Sequence, residues 1–377
     1  MVKKILCSVL FVFIALVVFP QHTVRFLISS IPANTSSDSL YIAGSFNGWN
    51  PQSNAYRFQK NSASSFFFET NLADGLHEFK ITRGSWSKVE CRKNGADIQN
   101  RFLKLSSDTT INIIVEEWVD RFVRKPRVST ASRNVHIIDT AFRIPQLNRV
   151  RKVWIYLPPG YGSSDKKFPV LYMHDGQNIF DDLTSFAGEW GVDEILDSIA
   201  KRKTEIIVVG VDHGGAKRIN EYCPYDMERF GKGEGDQYLA FLVKTLKPFI
   251  DKNYRTEKDK RNTFIAGSSM GGLISMYAVL KYPKVFGGAG VFSPAFWVGP
   301  KIFDDIKTKG KQVNSKIYFY CGGQEGDSME PDMRRAFEEM RKVSKSKMAC
   351  VIRPDGKHTE WVWREEFPLF YLWLIEK

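Results

Sequence analysis

The residues Thr263-Phe264-Ile265-Ala266 read as a strand and run straight into Gly267-Ser268-Ser269-Met270-Gly271-Gly272, after which 273–277 reads as helix. Gly-x-Ser-x-Gly is a weak signal by itself, and its place between a strand and a helix gives it meaning. A sharp strand-to-helix turn forces its middle residue into strained backbone angles, and small flanking residues supply clearance. Ser269 is therefore expected to stand exposed above a sheet, at a helix N-terminus whose dipole favours developing negative charge. The chemistry expected is nucleophilic attack on an acyl carbon.

A serine alkoxide is too basic to exist free at neutral pH, so a base is required. The chain has 6 histidines, and only His358 follows Ser269. In the order nucleophile, acid, histidine, that makes His358 the base, in the loop Pro354-Asp355-Gly356-Lys357-His358 before the last helix. The acid that orients the imidazole should follow the strand 316–320. Glu325 and Asp327 both qualify; Glu325 is preferred because it is nearer the strand end, and Asp332 is expected to open the next helix. Two backbone N–H groups must hold the oxyanion. One is expected from Met270, the other from Gln177 in His174-Asp175-Gly176-Gln177-Asn178. Asp175 is expected either to contact a substrate hydroxyl or to cap a helix.

These groups need a scaffold. From 135 onward strands alternate with helices: strands at 135–143, 150–157, 169–173, 205–211, 263–266, 285–292, 316–320 and 349–353, and helices at 189–201, 237–251, 272–281, 333–343 and 361–374. The runs at 169–173 and 206–211 are almost unbroken apolar, as in a parallel sheet covered on both faces. The fold class expected is α/β, a three-layer α/β-hydrolase domain over 135–377, preceded by a small all-β sandwich over 22–120. Its strands are expected at 23–29, 39–43, 65–71, 76–83 and 109–115, with turns at Phe46-Asn47-Gly48-Trp49-Asn50-Pro51 and Ala73-Asp74-Gly75. The polar, aperiodic stretch 121–134 reads as a linker.

Lys3 and Lys4 precede an apolar run over 5–19, too short for the roughly 20 residues that span a bilayer. The pattern is that of a secretory signal over 1–21, with a cut near Pro20 or Gln21, and it implies a secreted or periplasmic protein that meets the membrane only during export; an uncleaved N-terminal anchor is the alternative. Four of the 5 cysteines lie after it at spacings that suggest no disulfide framework. The formal charge is +12, yet Lys and Arg are interspersed with acids, as in Arg255-Thr256-Glu257-Lys258-Asp259-Lys260-Arg261; a solvated surface is expected, with no nucleic-acid partner. No CxxC, HExxH or Cys/His pair at metal spacing occurs, so no metal and no cofactor is expected.

His174-Asp175-Gly176-Gln177-Asn178, Glu189-Trp190-Gly191-Val192-Asp193-Glu194, Glu221-Tyr222-Cys223-Pro224-Tyr225, 267–272, Ser293-Pro294-Ala295-Phe296-Trp297 and Gly356-Lys357-His358 together resemble the esterase family that includes enterobactin esterases, S-formylglutathione hydrolases, feruloyl and acetylxylan esterases and mycolyltransferases. The resemblance implies a Ser269–Glu325–His358 triad, keeps Asp327 open because many relatives use Asp, and makes Asp175 and Trp297 candidates for substrate contact. The N-terminal part resembles starch- and glycogen-binding modules of the immunoglobulin-like type through 41–51, His77-Glu78-Phe79-Lys80 and Gly84-Ser85-Trp86, which makes the sandwich expected there an all-β immunoglobulin-like sandwich. That implies sugar contact by Trp49, Lys80 and Trp86, with aromatic planes stacking on sugar rings and the lysine donating to hydroxyls; the competing reading is a structural brace. The function expected is a secreted serine esterase acting on an acylated carbohydrate, of acetyl or feruloyl type, with an α-glucan or other polysaccharide as a partner of the N-terminal module. The alternatives are a siderophore esterase and a non-catalytic glucan-binding protein.

Overall fold

The computed structural model describes residues 21–35, 39–61, 65–98, 100–122, 128–199 and 205–376. The export signal expected over 1–21 lies almost wholly outside them. The chain divides into two compact units, Met1–Pro126 and Arg127–Lys377.

The first unit is built of short strands: β1 (Gln21–Ser30), β2 (Tyr41–Gly44), β3 (Gln59–Lys60), β4 (Phe66–Ala73), β5 (Gly75–Thr82), β6 (Glu90–Cys91), β7 (Arg101–Leu105), β8 (Thr109–Ile114) and β9 (Glu117–Trp118). They form a four-stranded sheet in the order β3-β4-β1-β8, a three-stranded sheet β2-β5-β7 and the pair β6-β9. Val24, Phe26 and Ile28 alternate inward along β1 and meet Phe66, Phe68, Phe79, Ile81 and Leu103 in one core, so period-two patterning makes a sandwich. Strand β7 was not expected. Its burial alternates, but outward-facing Phe102 is 59% exposed, so apolar residues fall on both faces and mask the period.

The second unit carries β10 (Val135–Ile144), β11 (Arg149–Tyr156), β12 (Val170–His174), α1 (Val192–Ile199), β13 (Ile207–Val211), α2 (Arg218–Glu221), α3 (Gly235–Phe241), α4 (Lys247–Asn253), β14 (Thr263–Ser268), α5 (Met270–Lys281), β15 (Gly288–Phe292), α6 (Ile302–Lys309), β16 (Lys316–Gly322), α7 (Met329–Val343), β17 (Lys347–Arg353) and α8 (Glu360–Ile375). Eight strands pair in the order β10-β11-β13-β12-β14-β15-β16-β17. Strand β11 is antiparallel to both neighbours and the pairs from β13 to β17 are parallel. Strands β12, β13 and β15 are buried along their whole length, as a sheet covered on both faces requires. Separate core clusters line the two faces, which makes three layers.

Of the stretch read as a linker, 121–122 and 128–134 lie among the described residues. Arg121 ends a short 3-10 turn, and 128–134 is tied to the second unit: Ser129 and the Thr130 N–H donate to Asp181, and the Ser132 N–H donates to Asp193. Helix α1 starts at Val192 rather than at 189, because Gly191 takes a left-handed φ of 58° against the Arg364 guanidinium. Helix α6 was not anticipated; its eight residues bury only Ile302, Phe303 and Ile306.

Candidate active site

Ser269 sits between β14 and α5 with φ 59° and ψ −119°, outside the ordinary regions for a side-chain-bearing residue. Its N–H donates to the Phe292 carbonyl at 2.9 Å, and its carbonyl accepts from the Leu273 and Ala295 N–H groups. The bonds on both sides hold the strained angles. Glycine at 267 is a packing requirement, since a Cβ there would lie 2.9 Å from the His174 ring.

Strands β12, β14, β15, β16 and β17 run parallel, so their C-terminal ends share one edge of the sheet. Ser269 follows β14, Glu325 follows β16, and His358 follows β17. The His358 Nδ1 lies 2.8 Å from Glu325 Oε2. The Glu325 side chain is fully buried, and its Oε1 accepts from the Gly322 N–H at 2.6 Å. Asp327, the alternative acid, is exposed two residues further on, while Asp332 lies in the first turn of α7.

Met270 is the first residue of α5, and Gln177 lies in the first turn of the short 3-10 helix Gly176–Asn178. Neither N–H has a carbonyl one turn earlier to bond. Both are therefore suited to an oxyanion. The Gln177 carbonyl and side chain are fixed separately, by the Thr184 hydroxyl and by the His213 N–H. A Cβ at Gly176 would come within 2.9 Å of the β13 backbone, which is how this loop packs so low on the sheet.

Asp175 has a left-handed backbone (φ 57°) and makes no side-chain cap. Both of its carboxylate oxygens accept from Arg218, Nε and Nη2 each at 2.7 Å. Burial works against the Asp175 charge, but the guanidinium outweighs it and holds the carboxyl below its usual range. The carboxylate expected to meet a substrate hydroxyl is thus paired with a half-buried cation. Beneath it, His174 donates or accepts through Nδ1 at 2.9 Å from the Tyr238 hydroxyl, and burial lowers its pKa to about 3. Glu360 approaches Asn178, with Nδ2 to Oε1 at 3.4 Å, and feels the charges of His358, Asp175 and Arg218; burial raises its pKa. Arg218 and Glu360 had no signal in the sequence, because they enter from α2 and α8, far from the motifs they touch. Trp297 is 51% exposed on the turn that follows Ala295, which is bonded to Ser269.

In the first unit, the turn after β2 is braced by Asn47, which accepts from the Gly44 N–H and donates to the Ile42 carbonyl. Trp49 follows with φ 59°, and its ring centroid lies 6.2 Å from that of Trp86 at an interplanar angle of 40°. Both rings are half-buried. Lys80 stands on β5 opposite Ala43 of β2. Burial lowers its pKa, opposed by Asp97 and Glu90. Among the described residues no cluster of His, Cys, Asp or Glu could hold a metal ion, and no helix is long and apolar enough to cross a membrane.

The strand order, the single antiparallel strand and the strained serine turn define an α/β-hydrolase. Residues 144–369 match the family described as "Putative esterase", and the chain belongs to it. The chain is 28% identical over 204 residues to the uncharacterized protein YbbA of Bacillus subtilis, covering 52% of this chain and 77% of that one. It is 28% identical over 215 residues to an endo-1,4-beta-xylanase/feruloyl esterase of Xylanibacter ruminicola, covering 56% of this chain and only 27% of that one. The enterobactin esterase FES of Shigella flexneri shares the fold at TM-score 0.52 and 16% identity, over 94% of this chain and 92% of that one. The protein is a carboxylic ester hydrolase.

Proposed function

We propose that the chain is a serine esterase that forms an acyl-enzyme on Ser269 and cleaves acetyl or feruloyl esters of carbohydrates. The His358–Glu325 contact, on the sheet edge that also carries the strained Ser269, is the observation that supports this reading most. His358 takes the Ser269 hydroxyl proton as Oγ bonds to the ester carbon. The Met270 and Gln177 N–H groups receive the carbonyl oxygen as it gains negative charge. When the tetrahedral adduct collapses, the carbon–alkoxy bond breaks and His358 returns the proton to the departing alcohol. Water then repeats the sequence on the acyl-enzyme, His358 accepts its proton, and the acid leaves. Glu325 stabilises the imidazolium in both halves.

The substrate class rests on three supports. Phe186, Trp361 and Trp297 are 75%, 65% and 51% exposed, and each is anchored beside the site: the Phe186 N–H donates to Asn178, Trp361 is three residues from His358, and Trp297 follows the Ser269-bonded Ala295. Aromatic faces exposed in this way suit sugar rings and cinnamoyl groups. A relative named for both xylan cleavage and feruloyl ester cleavage supports the same class. The chain is also 37% identical over 95 residues to an alpha-amylase of Niallia circulans, covering 24% of this chain and 7% of that one. In the first unit, Trp49, Trp86 and Lys80 offer a place for a glucan. Hydrolysis rates on acetylated xylo-oligosaccharides, a feruloylated arabinose and a catecholate trilactone test the reading. The sugar esters should be cleaved fastest, and a preference for the trilactone would overturn the carbohydrate assignment. We also propose export directed by the basic, then apolar, first residues, followed by cleavage near Pro20 or Gln21; retention of the full-length chain inside the cell would contradict the export, and Met1 found intact on the exported protein would contradict the cleavage.

A further inference from the structure

We infer that Ser293 and Trp363 are positioning residues for the acid, forming a directional chain of donors from Trp363 through Ser293 to Glu325. This rests on the reading of Glu325 and His358 as partners of Ser269. Trp363 Nε1 lies 2.9 Å from Ser293 Oγ, and Ser293 Oγ lies 2.7 Å from Glu325 Oε1. Trp363 is 4% exposed, and Ser293 and the Glu325 side chain are sealed from solvent.

The direction of this chain is fixed by valence. An indole N–H only donates, so Ser293 Oγ must accept from Trp363. The serine has one proton, and Glu325 Oε1 is the acceptor within reach. The proton therefore points at the carboxylate: turned toward the indole it would face another donor, and turned elsewhere it would leave an oxygen lone pair against Glu325 Oε1 at 2.7 Å. Oε1 then receives two donors, from Gly322 and Ser293, while Oε2 is left for His358. The three donors come from the ends of β16, β15 and β17. A carboxylate held from three directions keeps one rotation about its terminal bond, and His358 inherits that orientation.

Two further observations favour a positioning role over simple packing. Ser293 has φ 42°, a left-handed angle that a serine adopts at a cost, and its own N–H is tied to the Tyr320 carbonyl at 2.7 Å. Glycine would relieve the angle but carries no hydroxyl. Trp363 also meets the His358 ring edge-on, with centroids 4.9 Å apart at 85°, and stacks on Trp190 at 5.7 Å and 28°. Trp190, from the 189–194 motif, thereby backs the indole that serves both the acid and the base.

The test is made on the full chain with p-nitrophenyl acetate as probe, together with the downfield proton NMR signal of the His358 Nδ1–H. Ser293→Gly and Ser293→Ala should each lower kcat about tenfold with KM within about twofold, and both should move the downfield signal, because the charge density on the carboxylate changes. Trp363→Phe keeps the packing on Trp190, removes only the N–H, and should lower kcat by about threefold or more; it carries the test if the Ser293 variants do not fold. Glu325→Gln is the control. If Glu325→Gln is crippled while Ser293→Gly and Trp363→Phe keep wild-type kcat and an unmoved signal, the positioning role is overturned and the acid assignment stands. If Glu325→Gln is itself fully active, the reading of the acid falls and this inference falls with it.

Discussion

His358 and Glu325 meet at 2.8 Å with opposite exposures: the imidazole side chain is 36% exposed and the carboxylate 0%. That asymmetry suits their proposed division of labour. A base must reach substrate and water, while the group that orients it gains from a dry, fixed setting. With Nδ1 committed to Glu325, Nε2 is the nitrogen left for Ser269.

Glu325→Gln should lower kcat by about 10³-fold or more, since the amide presents the wrong partner to Nδ1 and cannot stabilise the imidazolium. Asp327→Asn should stay within about twofold of wild type, as an exposed surface change does. Steady-state rates on a chromogenic acetate decide between them. The reverse ranking would move the acid to Asp327.

Arg218→Met should destabilise the second unit by about 3 kcal/mol, because it leaves Asp175 buried without the guanidinium that donates to both of its oxygens. Arg218→Met combined with Asp175→Asn should recover part of that loss. Urea titrations of the four-member cycle measure the coupling, and an additive result would show that the pair contributes no mutual stabilisation.

His174 gives the second unit a defined acid sensitivity. In the unfolded chain its imidazole takes a proton near its ordinary pKa of 6.5, while in the fold burial holds the pKa at about 3. Between those values the unfolded state binds the extra proton, so acid favours unfolding. The contribution is fully present above pH 6.5 and is lost as pH falls toward 3, by up to about 1.4 kcal/mol per pH unit. His174→Gln should flatten the stability–pH curve between pH 6.5 and 4.5. Parallel curves for variant and wild type would contradict this.

Trp86→Ala should weaken retention of the full chain in a glycogen-containing native gel by roughly tenfold in affinity, without lowering its melting temperature, because the ring is half-buried rather than in the core. Trp49→Ala should also disturb the turn, since that residue holds a left-handed angle and its N–H donates to Gly44. Unchanged migration of the wild type in glycogen, starch and xylan gels would make the first unit a brace.

The sheet was legible because fully buried parallel strands such as β12 and β13 leave apolar runs, and the serine turn was legible because glycine, serine and a following helix sit together in sequence. His358 followed from chain order alone. What could not be read was lateral contact. Arg218 reaches Asp175 across 43 residues, and Trp363 reaches Ser293 across 70; no local pattern encodes either. Helix α6 escaped notice because its first-turn acids and last-turn lysines outnumber the three apolar residues it buries. Asp175 was only partly legible for a related reason: its place in the motif marks a loop but does not say which neighbour pairs with the carboxylate, and of the two roles expected for it the helix cap is not formed.

A covalent acyl-enzyme at Ser269 is the step on which the proposed reaction turns. Rapid acid quenching of the protein during turnover of p-nitrophenyl acetate, followed by digestion and mass spectrometry, measures it directly. One acetyl group is expected on the peptide containing Ser269, absent from the Ser269→Ala protein, whose hydrolysis rate should fall by several orders of magnitude. An unmodified Ser269 peptide in the active protein, or a Ser269→Ala protein within tenfold of wild-type activity, would contradict it.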